Sequence, residues 1–201
     1  EVRIRLNREN RGYAGGNNDG LRLARGEHLV LMNNDVLVGP EWLDRLLLPF
    51  SRDDRLGLVG PVTNSVGNEQ QVNLPGLTRE NFVARSRPYC DRHREVWFGT
   101  EKLGFCCVAI TAALRRQVGL LDEQFRLGMF EDDDYCLRAR QAGFRLAVAE
   151  VCFIYHQGSA SFNQLDRRDY RRTFQENRRR FEAKHGTAWT YSDLLLGGWQ
   201  R

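Results

Sequence analysis

Five short apolar runs set the rhythm of this chain: VRIRL (residues 2–6), HLVLM (28–32), LGLVG (56–60), FCCVAIT (105–111) and FRLAVAE (144–150). Helical patterns lie between several of them: one from about Leu21, then PEWLDRLLLPF (40–50) and AALRRQVG (112–119). Strand, helix, strand is the unit of a mostly parallel sheet flanked by helices, so the fold reads as α/β and Rossmann-like. Pro40 suits the first position of its helix, where its missing N–H would be unpaired anyway. The Gly/Asn-rich stretch NRGYAGGNNDG (10–20) reads as a turn after the first strand. No repeat, low-complexity tract or Pro/Ser-rich linker divides the 201 residues, so residues 1–201 read as one domain.

What the composition excludes is limited but useful. No apolar run approaches the roughly 20 residues that span a bilayer, and EVRIRLNRENRG lacks the apolar centre of a signal peptide. The five cysteines are odd in number, include the adjacent pair Cys106-Cys107, and show no C-x-x-C spacing, which fits a reducing cytoplasm. Net charge is +4, densest in the arginine-rich DRRDYRRTFQENRRRFEAKHG (166–186). That run has no aromatic interleaving or recognition motif, so no nucleic acid is expected. Phe174 and Phe181 lie seven apart and form a stripe that docks a basic helical extension (163–201) on the domain, leaving Arg167, Arg168, Arg171, Arg172, Arg178, Arg179 and Arg180 mainly to solvent. Attraction of that face to anionic lipid, as a peripheral contact at the inner membrane face, is the second reading.

In open α/β sheets ligands lie beyond the carboxyl ends of strands, and three polar clusters follow strands here: Asn33-Asn34-Asp35, Glu131-Asp132-Asp133-Asp134 and His156. Asn33-Asn34-Asp35 reads either as an Asx turn or cap, or as a cation site in which Asp35 gives a hard oxygen to Mg²⁺ or Mn²⁺. Helix-dipole stabilisation accounts for one or two acids at a helix start, but four in succession repel and raise one another's pKa. With a helix starting near Glu131, residues 131 and 134 share a face and Asp132 points elsewhere, leaving it available as a general base. His156 is structural or a ligand. Together the three clusters describe a metal-assisted transfer site. The polar stretch from 62 to 100 reads as a substrate-covering loop in which Asn64, Gln70, Gln71, Trp97 and Phe98 face an acceptor or serve as packing anchors.

The string NRENRGYAGGNNDGLRLARGEHLVLMNNDVLVGPEWLDRLL, then GLVGP, GFCCVAITAALRRQVGLLDEQF and FEDDDYCLRARQAGFRLAVAEVCFIYHQGSASF, resembles inverting glycosyltransferases of family 2 with the GT-A fold. The resemblance implies a hexosyl- or rhamnosyltransferase of envelope polysaccharide synthesis that uses a UDP- or dTDP-type sugar donor and a saccharide or lipid-linked acceptor. Carried over by residue, it makes Asn33-Asn34-Asp35 the DxD-like motif, with Asn33 departing from that form. Asp35 and His156 become the Mn²⁺ or Mg²⁺ ligands and Asp132 the base. Glu131, Asp134 and Trp97 take the acceptor, and Gly12 and Asn18 lie beside the donor. The family's opening strand and base-recognition loop have no counterpart, so the domain reads as truncated at its N-terminus. A sugar-phosphate nucleotidyltransferase and a non-catalytic saccharide-binding module are the alternatives.

Overall fold

The computed structural model describes residues 2–125, 128–158 and 166–190, apart from the side chain of Arg167. The helices are α1 (Gly12–Leu23), α2 (Trp42–Leu47), α3 (Phe82–Arg92), α4 (Ala112–Val118), α5 (Glu131–Gln141) and α6 (Arg167–His185). The strands are β1 (His28–Met32), β2 (Val36–Val38), β3 (Leu56–Thr63), β4 (Trp97–Thr100), β5 (Cys107–Thr111) and β6 (Arg145–His156).

The strands form one sheet in the order β1-β5-β3-β6-β2, with β4 also on β6. It is mixed rather than mostly parallel: β3 and β6 pair in parallel, while the other four pairings among the described residues are antiparallel. The twelve-residue β6 makes this possible. Its first half lies between β3 and β4, and its last three residues take β2 in the place of β4.

Alternation along the strands divides the core. Val108, Ile110, Leu146 and Val148 face one side, where Ala14 and Leu21 of α1, Leu114 of α4 and Tyr135 of α5 cover them. Cys107, Ala109, Ala147 and Ala149 face the other, where small side chains admit Leu46 of α2 and Phe50. A third cluster of Phe125, Phe130 and Phe181, with Phe174 and Trp189 packed against it, joins α6 to the start of α5. Each large side chain buried this way contributes roughly 1.5–3 kcal/mol. All five cysteines are buried and free. Among the described residues no helix is long and apolar enough to cross a membrane.

Four local expectations change. VRIRL joins no strand and its apolar side chains are exposed. The Gly/Asn-rich stretch is the body of α1, because Ala14, Asn18 and Leu21 recur on one buried face and tertiary burial overrides weak helix propensity. α2 starts at Trp42 after Glu41 in the left-handed region, two residues beyond Pro40. The stretch from 62 to 100 holds α3, which accommodates Pro88, and the strand β4.

Candidate active site

Asn33 to Val36 form a tight turn: the Val36 N–H meets the Asn33 carbonyl at 3.4 Å, and the Asn33 N–H donates to the Cys106 carbonyl at 2.9 Å. β2 then starts immediately and pairs Val36 with His156 at the end of β6. This register, not the order in sequence, puts Asp35 beside His156. The Gln157 N–H donates to the Asp35 carbonyl at 3.0 Å, and Asn64 grips the His156 backbone at both its N–H (2.8 Å) and its carbonyl (3.0 Å). Asn64 is therefore a brace for His156 rather than an acceptor contact. From Ser159 onward, the small-residue loop after His156 lies outside the described residues.

His156 Nδ1 lies 2.7 Å from the Ser65 carbonyl, which can only accept, so Nδ1 carries a proton and Nε2 is the ring nitrogen left to offer a lone pair to a ligand. That nitrogen faces Asp35 Oδ1 at 3.4 Å, and this buried oxygen accepts no hydrogen bond. Two acceptors facing each other call for a proton or a cation between them. A hard divalent cation fits this donor set. Among the described residues no three His, Cys, Asp or Glu side chains gather to hold a metal, and Asp35 and His156 are the two that this turn and strand end would offer. Asn34 is exposed and Asn33 half-buried on the same turn.

The second element is the start of α5. Gly128, Met129 and Phe130 all have positive φ (144°, 74° and 77°), a strained run for two non-glycine residues, and the ring of Phe130 is buried among Phe174, Phe181 and Trp189. This turn delivers four carboxylates into four different settings. Glu131 is 6% exposed, and its Oε2 has no hydrogen-bond partner. Burial first, then the charge of Asp132, pushes its carboxyl up to about 8. Asp132 is half-buried; its Oδ1 accepts from the Asp133 N–H at 2.9 Å, and burial followed by the charge of Asp133 pushes it up to about 7. Asp133 takes the indole N–H of Trp189 at 3.0 Å and lies 3.4 Å from Lys102. Asp134 is fully buried within a cage of two cations, Arg138 (2.8 Å) and Lys184 (2.6 Å), and the His185 ring (2.8 Å).

The two elements meet around Cys106. Its thiol is pushed up to about 12, chiefly by burial, and also by the charges of Asp35 and Asp132. Tyr13 of α1 closes the floor: its hydroxyl donates to the Phe105 carbonyl, and burial followed by the charges of Glu131 and Asp132 raises it well above the usual phenol range. A pair of side chains able to hold a cation and a carboxyl pushed up to about 7 thus share one neighbourhood, the combination that leaving-group stabilisation and proton abstraction require.

Several expected site residues have other work. Asp134 is enclosed by Arg138, Lys184 and His185 and has no free face for an acceptor. Asn18 is 1% exposed; its amide donates to the Leu121 carbonyl and Glu123 and accepts from the Leu121 N–H, so it pins α1 to the segment after α4. Gly12 begins α1, its N–H held by Asn10 Oδ1 at 2.8 Å. Trp97 sits on β4 opposite Ala149 and packs against the cluster under α2. Gln70 is buried, donating to the Pro61 carbonyl and accepting from the Gly104 N–H. Tyr13, Lys102, Asn177 and Trp189 touch this region without any spacing in the sequence to announce them.

Residues 1–174 match the family described as Glycosyltransferase like family 2. Agl10 of Haloferax volcanii, a low-salt glycan biosynthesis hexosyltransferase, is 22% identical over 209 residues, covering 94% of this chain and 65% of that protein. The uncharacterized protein Rv1525 of Mycobacterium tuberculosis is 32% identical over 164 residues, 77% of this chain and 57% of that protein. The uncharacterized protein y4gI of Sinorhizobium fredii is 28% identical over 191 residues, 86% of this chain but 20% of its own length. The chain thus spans from a fifth to just under two thirds of these relatives. Among solved structures, GalNAc-T7 with UDP, GalNAc and Mn²⁺ superposes with a TM-score of 0.55 at 16% identity, over 75% of this chain and 31% of that one. The chain belongs to glycosyltransferase family 2, and its helix-flanked mixed sheet is that of the GT-A fold.

Proposed function

We propose that this chain transfers a glycosyl group from a nucleoside-diphosphate sugar, of UDP or dTDP type, to a hydroxyl of a saccharide or lipid-linked acceptor, with inversion at the anomeric carbon. The observation that carries this reading is the meeting, around Cys106, of the Asp35/His156 pair with a carboxyl raised toward neutrality on α5. Asp35 and His156 would hold Mn²⁺ or Mg²⁺. The ion, when bound, supplies charge to stabilise the departing nucleoside diphosphate. Asn33 and Asn34, on the same turn, are placed to give amide hydrogen bonds to the donor.

Asp132 takes the proton of the attacking hydroxyl. A base with a pKa of about 7 is half ionised near neutral pH, which balances availability against basicity, and such catalysis contributes typically about 10²- to 10⁴-fold. Glu131, held protonated up to about 8, can donate a hydrogen bond to a neighbouring acceptor oxygen through an otherwise unpartnered side chain. GalNAc-T7 was crystallised with UDP, a sugar and Mn²⁺, and Agl10 is named a hexosyltransferase; both favour a nucleotide-sugar donor here. Cytoplasmic placement with peripheral membrane contact through the arginines of α6 completes the proposal.

The test is release of nucleoside diphosphate from a panel of UDP- and dTDP-hexoses, with saccharide acceptors, by the wild-type chain and by Asp132→Asn. The expected result is turnover with at least one donor, reduced about 100-fold or more in the variant. Turnover unchanged in a folded Asp132→Asn protein removes Asp132 from the role.

A further inference from the structure

α6 reaches the carboxylate-bearing end of α5 through three separate sets of contacts. Asn177, fully buried, donates its amide to the carbonyls of Phe125 (2.9 Å), Gly128 (2.9 Å) and Met129 (3.2 Å), and so fixes the strained turn into α5. Lys184 and His185 close on Asp134. Just beyond the helix, Trp189 donates its indole N–H to Asp133, with Lys102 4.9 Å above the ring and bonded to the Thr190 carbonyl at 2.6 Å. The Trp189 backbone is itself tied to Glu182 at 3.1 Å, so the indole cannot drift from the helix. Two of the four clustered carboxylates are therefore held by α6 and the residues that follow it, with Lys102 beside Asp133 and Arg138 beside Asp134, and the other two are left to the site.

We propose that the C-terminal end of α6 is a clamp that positions the general base: Asn177 sets the turn, Lys184 and His185 hold Asp134, and Trp189 with Lys102 holds Asp133. Asp132, whose carboxylate is capped by the Asp133 N–H, is thereby fixed in direction and in electrostatic setting. Trp189 and Asn177 are positioning residues that do not touch substrate. The inference rests on the reading of Asp132 as the base, but its mechanical content does not depend on turnover. The groups facing Asp132 and Asp133 are Glu131 and Cys136 on α5, Tyr13 on α1, Cys106 before β5, and Lys102 and Trp189; Arg138, Lys184 and His185 face Asp134 behind them.

The test uses the Trp189 indole ¹H–¹⁵N resonance, assigned by its loss in Trp189→Phe, as a reporter of Asp133. Following it with pH in the wild type and in Asp132→Asn should give a midpoint above the ordinary carboxylate range, displaced downward in the variant. The Asp133 amide resonance, which reports Asp132, should shift its own midpoint in Trp189→Phe while the near-ultraviolet dichroism stays native. Midpoints unmoved in both folded variants would overturn the clamp and leave the proposed base standing. Undiminished turnover in Asp132→Asn would remove the base and leave the measured coupling standing, so the two failures are distinct.

Discussion

Replacing Asp132 by asparagine should make the protein more stable, by an amount that grows from nothing at about pH 4 to its full size above about pH 7. The carboxyl is raised from 3.8 to about 7, a gap of about three units, and each unit corresponds to ~1.36 kcal/mol. The ceiling is therefore about 4 kcal/mol of unfavourable free energy carried by the ionised folded protein. Asp132 is half-buried and shares its penalty with Glu131 and Asp133, so screening and coupling reduce the expected gain to about 1–2 kcal/mol, or roughly 3–6 °C in Tm for a chain of this size. Below about pH 4 the carboxyl is protonated whether the chain is folded or unfolded, and the variant gains nothing. Between about 4 and 7 the unfolded chain releases its proton while the folded chain keeps it, so the wild type loses stability with each unit until the penalty levels off above about 7. Thermal melts of both proteins at pH 5 and pH 8.5, in chelator, measure the difference. A variant less stable at pH 8.5, or equally stabilised at both values, would refute the reasoning.

Asp134→Ala leaves Arg138, Lys184 and His185 around an empty centre and should cost about 3–5 kcal/mol in urea unfolding; a loss under about 1 kcal/mol would mean the cage is solvated. Asn18→Ala strands the Leu121 N–H and carbonyl in the interior and should cost about 2–3 kcal/mol by the same assay, with nucleotide affinity retained in the folded fraction; selective loss of affinity without loss of stability would return Asn18 to the donor site. The rate of transfer at limiting donor should rise with pH between about 6 and 8 as Asp132 ionises; a flat profile would place the base elsewhere.

The strands HLVLM, LGLVG and FCCVAIT were legible because apolar runs bounded by turn residues carry their own signal, and so were Asn33-Asn34-Asp35 after β1 and His156 at the end of β6; the acidic run 131–134, expected after a strand, instead opens α5 behind the turn at Glu123–Phe125. Strand direction was not legible. Whether β5 runs with or against β3 depends on connections whose helices, such as α3 with its internal Pro88, carry weak periodicity. α1 was hidden by glycine and asparagine, which read locally as a turn and form a helix only because Leu21, Ala14 and Asn18 bury together. At the site, Asp35, Asp132 and His156 stood out as charged or ligating groups directly after apolar runs. Their supports did not: the Asn64 grip on His156 and the Asn177 grip on the α5 turn join residues 92 and 48 to 52 positions apart, and no local pattern encodes such distances.

The proposed role of Asp35 and His156 as a divalent-metal site for a nucleoside diphosphate is measured by calorimetric titration of UDP and of dTDP into the wild-type chain, with and without Mn²⁺, and into Asp35→Ala. At least one nucleotide should bind, and that binding should require the metal and disappear in Asp35→Ala. Binding of equal strength without metal, or in a folded Asp35→Ala protein, would contradict it.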